Sequence, residues 1–151
     1  MGMKKHLKIL AFACLTLALA SIALFMEGTM HPKDIATAIS DGQKLIARFS
    51  TYYGDSKPNR KDNVALACRK IDGTVLYPED EFSFNDIVGA RTVENGFKSA
   101  YIIKDGEFVE GIGGGVCQVS STLYNCALLA NLTITCVRAH SLPVSYVAPS
   151  F

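Results

Sequence analysis

The chain has 151 residues, enough for one domain plus a targeting segment and too few for two full domains. Hydrophobic residues are 49% and charged residues 19%, which excludes a disordered chain. Fifteen basic and 14 acidic residues leave a net charge of +1, without the basic field that nucleic-acid binding needs, so nucleic acid is not an expected partner.

Lys4, Lys5 and Lys8 precede an apolar run from Ile9 to Met26, interrupted only by Thr16 and Ser21. A basic stretch followed by such a run is an export signal. Its length borders on that of a spanning helix, which takes about 17–25 residues. Ala18-Leu19-Ala20 offers a cleavage site, but the run continues past it, which favours an uncleaved anchor. Residues 1–28 thus read as a signal peptide or signal-anchor, and 29–151 as the domain. Glu27 and Asp34 follow the run, so the domain is expected outside the cell membrane on a single-pass anchor, or secreted if the signal is cleaved.

The spacing of Ile35, Ala38, Ile39, Leu45, Ile46 and Phe49 predicts a helix from about Asp34 to Tyr52, and residues 54–59 read as a loop. A second helix is predicted from about Arg60 to Ile71, closed by the Asp72-Gly73 turn. Val75–Tyr77 reads as a short strand and Glu81–Phe84 as an alternating one. Ala100–Ile103 and Phe108-Val109 form a hairpin around Asp105-Gly106. Gly111-Ile112-Gly113-Gly114-Gly115 reads as a loop with unusual backbone angles or a close approach. Val116 to Asn131 is strongly helical, and Leu132 to Arg138 alternates as a strand. The predicted class is α+β: N-terminal helices, then a mostly antiparallel sheet with a central helix launched from the glycine loop. Tyr77, Phe82, Phe84 and Phe97 are expected in the core.

Four cysteines follow the apolar run, and their spacing enforces no disulfide pairing. Cys68, Cys126 and Cys136 read as small buried apolar residues. No C-x-x-C occurs and the histidines do not cluster in sequence, so neither a metal nor another cofactor is expected.

Cys117 is different. A thiol at a helix start faces the positive end of the helix dipole and unpaired backbone N–H groups, which favours the thiolate and can hold an oxyanion. The strand that follows ends near His140, which a helix packing back on that strand brings towards Cys117. This ordering is geometrically analogous to papain-like and transglutaminase-like enzymes. Gln118 is a candidate oxyanion donor or a ligand of loop backbone, and Gly114 and Gly115 supply loop N–H groups. Ser120, Ser121 and Thr122 are candidates for satisfying helix backbone or for a polar network, and Ser120 and Ser121 are also candidates for binding substrate or oxyanion. Asn85, Arg91 and Asn125 are candidates for an anionic or peptide ligand.

Gly113-Gly114-Gly115-Val116-Cys117-Gln118-Val119-Ser120-Ser121-Thr122-Leu123-Tyr124-Asn125 closely resembles the signature of VanW-like proteins. Asn59-Arg60, residues 73–78, Phe82–Asn85, Val88-Gly89 with Arg91-Thr92, Gly96–Ala100 and His140–Val147 extend the resemblance over roughly Leu45 to Pro149. It implies a bacterial, exported or membrane-attached protein of a family named after a protein of vancomycin-resistance gene clusters. It also implies further strands after Val147, so a domain ending at Phe151 reads as truncated. Three functions fit: a Cys-His thiol enzyme acting on acyl or amide bonds of cell-wall peptides, a non-catalytic peptidoglycan-binding module, and an accessory domain docking on another envelope protein.

Overall fold

The structure, a computed structural model, describes residues 8–10 and 45–147. Its elements in chain order are β1 (Lys8–Leu10), α1 (Pro58–Ile71), β2 (Glu81–Ser83), α2 (Phe84–Val88), β3 (Ser99–Lys104), β4 (Glu107–Ile112), α3 (Val116–Leu129) and β5 (Thr133–Cys136). The class is α+β. The strands form two small antiparallel sheets, one ordered β2-β1-β5 and the other the β3–β4 hairpin. In β1, Lys8 pairs with Ser83 and Cys136, and Ile9 pairs with Phe82 and Ile134, so Lys8–Leu10 within the expected export segment are strand. The rest of that segment lies outside the described residues, and no described helix is long and apolar enough to cross a membrane.

Pro58 begins α1, two residues before the expected start, because its fixed φ suits the first helical turn, where its missing N–H is not needed. The helix buries Asn63, Val64, Ala67 and Ile71, and its last turn carries Arg69 and Lys70. It packs against α2, α3 and β3.

Three expected elements differ. The described part of the first predicted helix, residues 45–52, forms no helix. Its burial alternates residue by residue, and Thr51 is buried against α3, where its hydroxyl lies 2.8 Å from that of Thr122. Tertiary hydrogen bonds thus claim polar groups that a helix would leave to local pairing. Residues 75–77 are not strand, and Tyr77, expected in the core, is 63% exposed. The chain turns there instead: the Asp80 N–H donates to the Tyr77 carbonyl at 3.0 Å, and the Tyr77 N–H donates to the Asp80 carboxylate at 2.8 Å. Phe84 leaves the predicted strand because the Ser83 hydroxyl accepts from the Asp86 N–H and caps α2.

The hairpin is longer than predicted. Asp105 and Gly106 both take positive φ, as a tight primed turn requires, and the ladder runs from Lys104–Glu107 to Ser99–Ile112. Gly111 and Ile112 therefore belong to β4 and not to the glycine loop. A Cβ at Gly111 would strike the Ile102 side chain. The helix α3 ends two residues before the predicted end, near Asn131 in the left-handed region, and β5 is a shortened form of the predicted strand.

Phe82, Phe84, Val88, Phe97, Val116, Val119, Leu123 and Ala127 meet Val64, Ala67 and Ile71 in one core. Each large side chain buried there stabilises the fold by about 1.5–3 kcal/mol. Asn63 sits fully buried among these residues. Its Nδ2 donates to the carbonyls of Lys98 at 2.9 Å and Gly114 at 3.0 Å, and its Oδ1 accepts from the Lys98 N–H at 2.8 Å. One side chain therefore ties α1 to the start of β3 and to the loop that launches α3. Replacing Asn63 with Leu strands buried backbone groups and is expected to cost about 3 kcal/mol in urea unfolding. A loss below about 1 kcal/mol would show that those groups find other partners.

Candidate functional site

Each glycine of the loop has its own reason. Gly113 and Gly115 take φ of +84° and +102°, and Gly115 caps α3. A Cβ at Gly113 would lie 2.7 Å from Arg91 Cβ, and one at Gly115 would lie 2.8 Å from Arg60 Cγ. Gly114 has ordinary φ, but its added Cβ would strike the Tyr101 carbonyl and lie 2.8 Å from Ala100. The loop is pressed between an arginine on each flank and the β3 backbone.

This places Cys117 in the first turn of α3, half-buried. The Val116 and Gln118 N–H groups bond back to Gly113 and Gly115 at 3.2 and 3.0 Å. The Cys117 N–H has no acceptor among the described residues. His140, in the irregular segment after β5, comes to the Cys117 thiol, and so does Tyr146. Burial pushes the thiol pKa up. The neighbouring His140 and Tyr146 side chains and the positive charge of Arg60 outweigh it and leave the pKa below the ordinary value.

The Tyr146 hydroxyl is buried beside Cys117 and Ser121, and no partner among the described residues satisfies hydrogen-bond geometry. Burial raises its pKa, and the neighbouring Cys117 charge raises it further, so it stays a protonated donor. Sequence reasoning missed this residue. Its segment carries family resemblance, but only the tertiary fold brings residue 146 to residue 117.

Cys117 and His140 open on a cavity of about 1030 Å³, bounded by the glycine loop, the first turns of α3, the hairpin and residues 137–147. Ser120, Ser121, Asn85, Arg91 and Asn125 also line it. The Ser120 hydroxyl donates to the Cys117 carbonyl at 2.9 Å. Gln118 does not line the cavity. Its side chain is fully buried, donating to the Thr51 hydroxyl and the Tyr52 carbonyl, both at 3.0 Å, and accepting from Arg60 Nη2 at 2.7 Å. An oxyanion contact from this amide would require breaking that network.

The other cysteines stand apart. Cys68, Cys126 and Cys136 are free thiols, Cys126 is buried, and burial pushes the Cys68 pKa up to about 12.

The fold and this junction define an α+β domain that carries a cysteine between a triple-glycine loop and a helix, faced by a histidine. A model of VanW-like proteins matches residues 59–151, and the chain belongs to the VanW-like family. The uncharacterized protein YoaR of Bacillus subtilis is 42% identical over 126 residues, 82% of this chain and 41% of that protein. The vancomycin B-type resistance protein VanW of Enterococcus faecalis is 30% identical over 76 residues, 50% of this chain and 28% of that one. A rhodanese-like domain-containing protein of Arabidopsis thaliana chloroplasts is 38% identical over 66 residues, 43% of this chain and 14% of that protein. The chain thus spans less than half of each of these relatives. No solved structure matches significantly.

The depressed pKa sets a pH dependence. The thiolate fraction of Cys117 rises at lower pH than that of an ordinary thiol, so iodoacetamide labels Cys117 near neutral pH while Cys68 stays unmodified. Replacing His140 with Ala removes a neighbour that favours the thiolate, and moves the labelling profile to higher pH. Peptide mapping across pH checks both. A profile unchanged by His140→Ala would separate the two residues functionally.

Proposed function

We propose that this chain is a cell-envelope thiol enzyme that cleaves acyl or amide bonds of cell-wall peptides. The observation that carries this reading is the meeting of Cys117 and His140 at a helix start, inside a cavity large enough for a peptide. The Cys117 sulfur attacks the substrate carbonyl carbon, forming a C–S bond while its proton passes to His140. The resulting oxyanion is held by the unpaired Cys117 N–H, with Tyr146 as a second donor beside it. Collapse expels the amine, which takes the proton from His140 and leaves a thioester. Water then attacks the thioester with His140 as base, releasing a carboxylic acid and restoring the thiol.

The envelope location rests on the N-terminal sequence: a basic stretch and an apolar run suited to a membrane anchor, or to secretion if cleaved. The name of the enterococcal relative supports a link to vancomycin resistance. The reading is tested by incubating the full chain in detergent with purified muropeptides and following the products by mass spectrometry. Cleavage is expected to fall by about three orders of magnitude or more in Cys117→Ala. In His140→Ala both acylation and hydrolysis lose their proton carrier, and cleavage is expected to fall to a similar extent. Muropeptides that bind Cys117→Ala and the parent chain alike, and that neither protein cleaves, would instead identify a binding module.

A further inference from the structure

The cavity has a charge bias that the whole chain lacks. Basic and acidic residues nearly balance in the sequence, at 15 and 14. Yet Arg60, Arg91, Arg138 and His140 line the cavity, and no aspartate or glutamate does so among the described residues. Arg60 is engaged with Ser56 and Gln118. Arg91 differs from it.

Arg91 lies across the glycine loop from Arg60, with its guanidinium 5.8 Å from the centre of the Phe84 ring. It donates to the Gly89 carbonyl at 3.0 Å and to Asn85 Oδ1 at 2.5 Å. Both acceptors are neutral, and no carboxylate pairs with it among the described residues. Burial disfavours its charge, as its lowered pKa records. A partly buried guanidinium held in place by neutral acceptors is half of an ion pair, because its desolvation is offset only when an anion arrives. Asn85, which orients Arg91, keeps its amide NH₂ without an acceptor among the described residues and also lines the cavity.

We propose that Arg91 and Asn85 form a subsite for a free carboxylate of the substrate, which fixes its register relative to Cys117. This deepens the reading of the cavity as a peptide site and rests on it. The planar guanidinium fork, with a neighbouring amide donor, matches a planar carboxylate better than a tetrahedral phosphate. The preferred substrate class is therefore a peptide carrying an unblocked carboxylate on one side of the scissile bond. Asn85 is neutral for a reason: an aspartate there would pair with Arg91 and fill the subsite from within.

The test separates binding from chemistry by using the full chain with Cys117→Ser in detergent micelles. The probes are N-acetyl-alanyl-alanine with a free carboxylate, its C-terminal amide and inorganic phosphate, titrated by calorimetry. The acid is expected to bind at least about tenfold more tightly than the amide. That ratio is expected to fall to near one in Asn85→Asp, which keeps the side-chain size, and in Arg91→Ala, while Arg91→Lys keeps part of it. Circular dichroism confirms that each variant is folded. Equal binding of acid and amide, absence of saturable binding by either, a preference that survives Asn85→Asp, or tighter binding of phosphate would each overturn the assignment. Because these proteins lack the Cys117 thiol, such a failure leaves muropeptide cleavage by the unsubstituted chain as a separate result.

Discussion

The fully buried amide of Asn63 is the constraint on which the site depends. It holds the Gly114 carbonyl and both backbone groups of Lys98 from one position on α1. Those bonds fix where β3 begins and where the glycine loop crosses it. Gly114 then lies so close to the Tyr101 carbonyl that only a hydrogen fits in place of a side chain. Moving Gly114 would move the start of α3, and with it Cys117.

A second polar tie secures the same helix from its other side. Gln118 reaches from the first turn of α3 to Thr51, Tyr52 and Arg60, and Thr122 bonds both Thr51 and the Gln118 carbonyl. Residues 117 and 118 thus divide the work by facing different ways. One presents a thiol to the cavity, while the other anchors the helix to the core. Arg60 links the halves, because it bonds Gln118 and its charge also favours the Cys117 thiolate. Side-chain amides are used in both ties, since they donate and accept without bringing net charge into the interior.

The sequence was most legible where one local signal dominated. Asp105-Gly106 identified the hairpin, the periodicity of Val116, Val119 and Leu123 identified α3, and the triple glycine marked the junction. It misled where tertiary contacts outweighed local preference. Residues 45–52 carry roughly helical apolar spacing, yet they form no helix because Thr51 and the Tyr52 carbonyl bond across to α3. The apolar pattern of residues 75–77 resembled a strand, but the Asp80 side chain turns the chain there and leaves Tyr77 exposed. Cys117 and His140 could be singled out because each is a reactive type beside an element boundary. Tyr146 could not, since a tyrosine in an irregular segment gives no local sign of what it faces. The partners of Gln118 were equally hidden, because they lie 58 to 67 positions away along the chain.

In the proposed enzyme, nucleophile, proton carrier and oxyanion donor converge on one point. A peptide aldehyde labelled with ¹³C at the aldehyde carbon tests this most directly, since thiol addition makes that carbon tetrahedral and places its oxygen where the oxyanion would form. The account predicts a hemithioacetal carbon resonance with the full chain, absent in Cys117→Ala and weakened in His140→Ala. A labelled carbon that shows only free aldehyde and hydrate, identical with and without Cys117, would contradict it.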